Sequence, residues 1–134
     1  MDVILKLIRN IITIDGPSGV GKGTLAFSLA EKLGWNVLDS GLIYRLVGFL
    51  SLKEKLETPH EIIICINNSK IKLLTNLKKR ICEIELDDKV LGKELRNEDV
   101  ALKASEFAKN SEIRNAIMKI QRNAYEKEKG LIAD

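Results

Sequence analysis

The chain has 134 residues, 45% of them hydrophobic and 31% charged, which excludes a disordered or fibrous protein and fits one domain with a real core. Lys and Arg outnumber Asp and Glu by 22 to 19, and the resulting net charge of +3 is too small to argue for a nucleic-acid partner. Cys65 and Cys82 form neither a CxxC pair nor a metal spacing. Each lies in an apolar pattern, so buried free thiols in a reducing cytoplasm are expected.

The first ten residues, MDVILKLIRN, are apolar but interrupted by Lys6 and Arg9. They lack a basic stretch ahead of a long apolar run, and no uninterrupted run approaches transmembrane length. Neither a signal peptide nor a membrane contact is expected, and the segment reads as a leader that extends or covers the first strand.

Ile11, Ile12 and Ile14 form a short buried-strand run, followed by Gly16, Pro17, Ser18, Gly19, Val20, Gly21, Lys22, Gly23 and Thr24. A helix with Leu25, Ala26, Leu29, Ala30 and Leu33 on one face comes next, and Gly34 is placed to end it. Strand, glycine-rich loop and helix in this order make a P-loop, a cradle of backbone amides for a polyphosphate. The helix N-terminus and the Lys22 ammonium add positive charge there. The pattern departs from its strict form at one position. Gly23 stands where a Ser or Thr follows the lysine, and the hydroxyl arrives one residue later at Thr24, so Mg²⁺ would take water or another side chain instead.

Trp35 to Asp39 reads as a second strand, which completes a βαβ unit with parallel strands. Asp39-Ser40-Gly41-Leu42-Ile43-Tyr44-Arg45 enters a helix that buries Ile43, Leu46, Val47 and Leu50. Thr58-Pro59-His60-Glu61 starts another, with Thr58 as N-cap and Glu61 closing a capping box. Ile62, Ile63 and Ile66 follow, and Asn67-Asn68 ends it. His60, the only histidine, reads as a solvated polar residue.

From Ser69 the period changes to two. Residues 70–75 and 80–86 read as strands, Asp87-Asp88 as a turn and Lys89-Val90-Leu91 as a third strand, together a small antiparallel sheet apart from the parallel one. Lys78-Lys79-Arg80 reads as a charged hairpin turn. Asn97 caps a helix with Val100, Ala104, Phe107 and Ala108 inward. Ser111 caps the next, with Ile113, Ile117, Ile120 and Ala124 inward. Glu126 to Lys129 is a mixed-charge helix end, Gly130 stops it, and Leu131-Ile132-Ala133 is a buried strand ending in Asp134.

That last carboxylate is placed as in a Walker-B strand, near Mg²⁺ or its waters. A kinase must also hold two anions against each other, which calls for cations outside the P-loop. Arg45 lies one turn after Gly41, near the strand ends where such sheets bind ligands, and its fork suits a phosphate. Ser105 and Arg114 lie on helices that could read a base edge. Taken alone, these residues leave each position open between ligand contact and solvated surface.

GPSGVGKGT followed by LDSGLIYR resembles the bacterial cytidylate kinases, members of the P-loop nucleoside monophosphate kinases. The GKGT form is shared across that wider group, whereas DSG-x-IYR is more discriminating and disfavours adenylate or shikimate kinase. NEDVALKASEFA, IRNAIMKIQR and GLIAD also resemble the family, and residues 70–91 resemble the extra sheet of its monophosphate-binding region.

The resemblance implies a three-layer α/β fold with a parallel sheet. It implies one incomplete domain over residues 1–134, with residues 59–109 as the monophosphate-binding insertion. It implies ATP on Gly16 to Thr24 and Lys22 on the transferred phosphate. Arg45 would grip the phosphate of CMP or dCMP, helped by Ser40 and Tyr44. Ser105 and Arg114 would face the cytosine, and Asp134 would act near Mg²⁺. A cytoplasmic enzyme that is a monomer when complete is expected. One departure stands out: in the family a GRD-M-GT segment opens on the Asp matching Asp134, and further strands, a lid and several arginines follow. Two readings therefore stand side by side, a cytidylate kinase present as an N-terminal portion, and a nucleotide-binding fragment without turnover. In either, residues 11–15 are expected to carry one unpaired sheet edge.

Overall fold

The computed structural model describes residues 4–8, 10–17, 19–125 and 130–133. The chain runs β1 (Ile4–Ile8), β2 (Ile11–Asp15), α1 (Lys22–Leu33), β3 (Asn36–Leu38), α2 (Ser40–Lys53), α3 (Pro59–Asn67), β4 (Ile71–Asn76), β5 (Ile81–Leu86) and β6 (Lys89–Leu91). A 3₁₀ turn (Lys93–Leu95), α4 (Glu98–Phe107), α5 (Ser111–Tyr125) and β7 (Leu131–Ala133) follow.

Two sheets form, as expected. The first has the order β1-β2-β7-β3 and the second β4-β5-β6. β2 and β3 both run parallel to β7, which sits between them, with Thr13, Ala133 and Leu38 on one rung. The βαβ unit from β2 through α1 to β3 is thus a crossover that skips one position, and the last described strand fills the gap. Asp39 does not extend β3: its side chain accepts the Leu42 N–H at 3.3 Å and caps α2.

The edge of β2 is not unpaired. β1 lies antiparallel beside it, with Ile4 opposite Asp15 and Ile8 opposite Ile11. The ladder hydrogen bonds on that side are therefore made within the chain.

Helix faces follow the apolar periodicity with two corrections. On α1, Ala26, Phe27 and Ala30 are buried, but Leu33, in the last turn, is 45% exposed. On α5, Asn110 caps instead of Ser111: its side chain accepts the Ile113 N–H at 3.0 Å, and Ser111 is already helical. The capping box at Thr58 and Glu61 and the Asn97 cap are present. Neither Cys65 nor Cys82 is in a disulfide, and each is half-buried instead of fully buried as expected.

One hydrophobic core gathers α2, α3, the second sheet and α5 around Ile43, Leu46, Ile62, Ile84 and Ile113. A second lies between α1 and the first sheet, around Ile14, Ala30, Val37 and Ile132. The helices α2 and α4 meet at Gly48, whose missing Cβ leaves room for the α4 backbone at Val100 and Ala104. Asp87 and Asp88, with φ of 48° and 69°, form the tight turn between β5 and β6. Lys70 closes it, its N–H on Asp87 at 2.8 Å and its ammonium on Asp88 at 3.1 Å.

Besides apolar packing, hydrogen bonds between the two sheets converge on Val37 of the edge strand β3. The Thr75 hydroxyl accepts the Val37 N–H at 2.9 Å and donates to the Val37 carbonyl at 3.2 Å. Cys82, directly across from Thr75 on β5, directs its Sγ to the same carbonyl at 3.4 Å. Thr75→Val keeps the shape and strands the Val37 N–H, so it lowers stability by about 1–3 kcal/mol, whereas Thr75→Ser retains most of it. Urea denaturation of both variants checks this; equal stability of Thr75→Val and the parent chain contradicts it.

Candidate phosphate and nucleotide site

Three chain segments leave one end of the parallel strands. The glycine-rich loop follows β2, α2 follows β3, and Asp134 follows β7 in the chain. Because the strands are in register and parallel, the loop, the start of α2 and the end of β7 are neighbours along the carboxyl edge, where open α/β sheets bind ligands. Asp134 itself lies outside the described residues, as does Ser18.

The loop has the backbone a phosphate cradle needs. Gly19 and Gly21 hold φ of 82° and 89°, a region that a Cβ disfavours. Gly21 is the N-cap of α1 and, having no side chain, makes no cap bond of its own, and the first turn carries no acidic residue. The positive end of the helix dipole at this turn suits an anion. Gly19, Gly21, Gly23 and Thr24 are exposed, and Pro17 also faces solvent; Gly16 and Val20 are half-buried. Lys22 is the first residue of α1 and is half-buried. The Gly16 N–H donates to the Asp15 carboxylate at 3.0 Å, which sets where the loop begins.

The first two turns of α2 present Ser40, Tyr44 and Arg45. Ser40 Oγ accepts from the Gln121 side-chain amide at 3.0 Å, which ties α2 to α5. Tyr44 is half-buried against the main core. Arg45 is half-buried and donates from one terminal nitrogen to the Leu95 carbonyl at 3.3 Å. This contact fixes the guanidinium between α2 and the segment that leads into α4, and a guanidinium has further N–H groups to offer. Ser105 on α4 and Arg114 in the first turns of α5 are exposed. Gln121 and the Leu95 carbonyl escaped the sequence reading. Both lie far along the chain from their partners, and nothing in local patterning distinguishes a glutamine that orients a serine from one in solvent.

For a triphosphate tail the residues fit: a helix N-terminus without an acidic residue, no Cβ at the tightest positions and a lysine at the helix start. For Mg²⁺ the described residues offer no cluster of three His, Cys, Asp or Glu. Magnesium commonly keeps several waters and takes one or two carboxylates plus substrate phosphates, a pattern that requires no such cluster.

Residues 12–134 match the family model described as cytidylate kinase. The chain is 40% identical over 124 residues to the cytidylate kinase of Pasteurella multocida, covering 92% of this chain and 54% of that protein. It is 38% identical over 136 residues to the cytidylate kinase of Salmonella choleraesuis, covering 97% and 57%. It is 36% identical over 124 residues to that of Photobacterium profundum, again 92% and 54%. The chain thus spans about half the length of the curated relatives it matches. With the match running through the phosphate loop, both sheets and every helix, the chain belongs to the cytidylate kinase family.

Proposed function

We propose that this chain carries the ATP and acceptor sites of a cytidylate kinase, which transfers the γ-phosphoryl group of ATP to CMP or dCMP. The observation that carries the proposal is the shared strand edge: the amide loop and the start of α2, with Arg45, leave the same end of the parallel sheet. Gly16 to Thr24 hold the triphosphate, and Lys22 takes the transferred phosphate. Ser40, Tyr44 and Arg45 hold the acceptor phosphate, while Ser105 and Arg114 read the cytosine. Asp134 would help hold Mg²⁺, which would offset phosphate charge during transfer.

In the transfer, an acceptor phosphate oxygen bonds to the γ-phosphorus as the bond from that phosphorus to the bridging oxygen breaks, giving CDP or dCDP and ADP. The residues position the two anions and offset their charge, and no covalent enzyme intermediate is needed. Residues 59–109 form the monophosphate-binding insertion. The setting is the cytoplasm, with no nucleic-acid or membrane partner, and the complete enzyme is a monomer. Among the described residues no helix is long and apolar enough to cross a membrane.

A second reading, nucleotide binding with weak or no turnover, is favoured by the share of the relatives that the chain spans. A coupled assay of ADP production with CMP, dCMP, UMP and AMP tests both, together with calorimetric titration of ATP and CMP. Both nucleotides are expected to bind, and CMP and dCMP to exceed UMP and AMP as acceptors, with transfer weak. Vigorous CMP-dependent turnover eliminates the second reading. Preference for AMP, or no binding of either nucleotide, overturns the first.

A further inference from the structure

A cavity of about 330 Å³ lies between β3, β4, the end of α3 and the second half of α5. It shares no residue with the loop or with Ser40, Tyr44, Arg45, Ser105 and Arg114. Its floor is apolar, with Val37 and Leu131 from the first sheet, Leu73 from the second and Ile66 from α3. Its polar groups are Lys72, Lys119, the carboxamides of Asn36, Asn67 and Asn123, and the hydroxyls of Ser69 and Thr75, which are already bonded to the Cys65 carbonyl and to Val37; no Asp or Glu lines it.

The wall is positive and the bottom is greasy. Lys119 makes no ion pair among the described residues, and Lys72 pairs with Glu85, its cross-strand neighbour, at 3.7 Å, a contact through charge that leaves its N–H groups able to meet a further acceptor. The three carboxamides likewise make no side-chain hydrogen bond among the described residues. Each offers both a donor and an acceptor, the combination that pairs with the edge of a heterocycle. The volume falls at the lower end of small-molecule sites, and a few polar groups over an apolar bed is their usual composition.

We infer that this cavity is a second ligand site, separate from the kinase site, for a heterocyclic phosphate monoester of nucleotide size. Its ring lies on the apolar floor within reach of the asparagines, and its phosphate lies between Lys72 and Lys119.

The test is an amide NMR titration of the chain with uridine 5′-monophosphate, uridine and ribose 5-phosphate. Uridine 5′-monophosphate is expected to shift the Lys72, Lys119 and Asn123 amides saturably, with each half-molecule binding roughly tenfold more weakly. Lys119→Glu and Asn123→Leu each weaken those shifts roughly tenfold, while Ser105→Ala leaves them unchanged. Both target side chains are exposed, and the same spectra report whether each variant is folded. Three results overturn the inference. One is an absence of shifts at these amides up to about 10 mM ligand. Another is ribose 5-phosphate binding as tightly as the nucleotide, which marks a plain anion site. The third is binding that neither variant alters.

Discussion

Replacing Gly48 with alanine lowers the stability of the chain by about 3 kcal/mol. In an exposed helix the same change would add about 1 kcal/mol through helix propensity, so the local and tertiary effects have opposite signs. The tertiary effect wins because of what the new methyl meets. A Cβ at Gly48 would stand 2.5 Å from the Val100 carbonyl oxygen and 2.9 Å from the Ala104 amide nitrogen. Both are backbone atoms of α4 and cannot swing aside as a side chain would. The helices must part, and the buried contacts of Val47, Val100 and Ala104 loosen together. Against a total stability of about 5–15 kcal/mol, the loss is large enough to see in a single urea melt. A Gly48→Ala chain as stable as its parent would show that α2 and α4 do not approach this closely.

Lys22→Gln weakens ATP binding by roughly 10- to 100-fold, the worth of one charge-assisted contact. Glutamine keeps most of the length and can still donate, so the change isolates the charge. The effect should be confined to the polyphosphate. ATP and ADP lose affinity, whereas AMP, without the β- and γ-phosphates, loses little. Because the lost contact is electrostatic, the gap between parent and variant narrows as salt rises. Calorimetric titrations with the three nucleotides at two ionic strengths measure this. Equal losses for AMP and ATP would place Lys22 away from the phosphate tail.

Much of the architecture was legible because local chemistry is explicit where elements begin and end. The glycines before Lys22 announce the turn into α1, Thr58 and Glu61 form their capping box, and Asn97 caps α4. The switch to alternation after Ser69 marks the second sheet, and Asp87-Asp88 its tight turn. The misses are of a different kind. Strand order is not written in any one strand, so the position of β7 between β2 and β3 could not be read from Leu131-Ile132-Ala133. The pairing of β1 was hidden because Lys6 and Arg9 break the apolar pattern and no glycine separates the two strands. At α5, Asn110 and Ser111 are both good caps, and a one-residue difference between two competent side chains lies below what a sequence resolves.

The site divides along the same line. The loop's backbone shape could be read outright, since the glycines that turn it are close together in the chain. Arg45 was identified as a cation near the strand ends, yet its bond to the Leu95 carbonyl was not foreseeable, because a backbone acceptor carries no residue-type signature. Ser40 was identified while the Gln121 amide that fixes its hydroxyl was not. Candidate ligand side chains are picked out by type, whereas the groups that hold them in place are visible only by position.

The bond between Thr75 and Val37 has a consequence beyond joining two sheets. β3 closes one side of its sheet, and a bare strand margin invites a neighbouring molecule to add a strand of its own. Here a threonine hydroxyl already satisfies both Val37 peptide groups that face outward. The sheet is finished by a side chain instead of another strand, and a second copy of the protein finds no template for self-association at that residue.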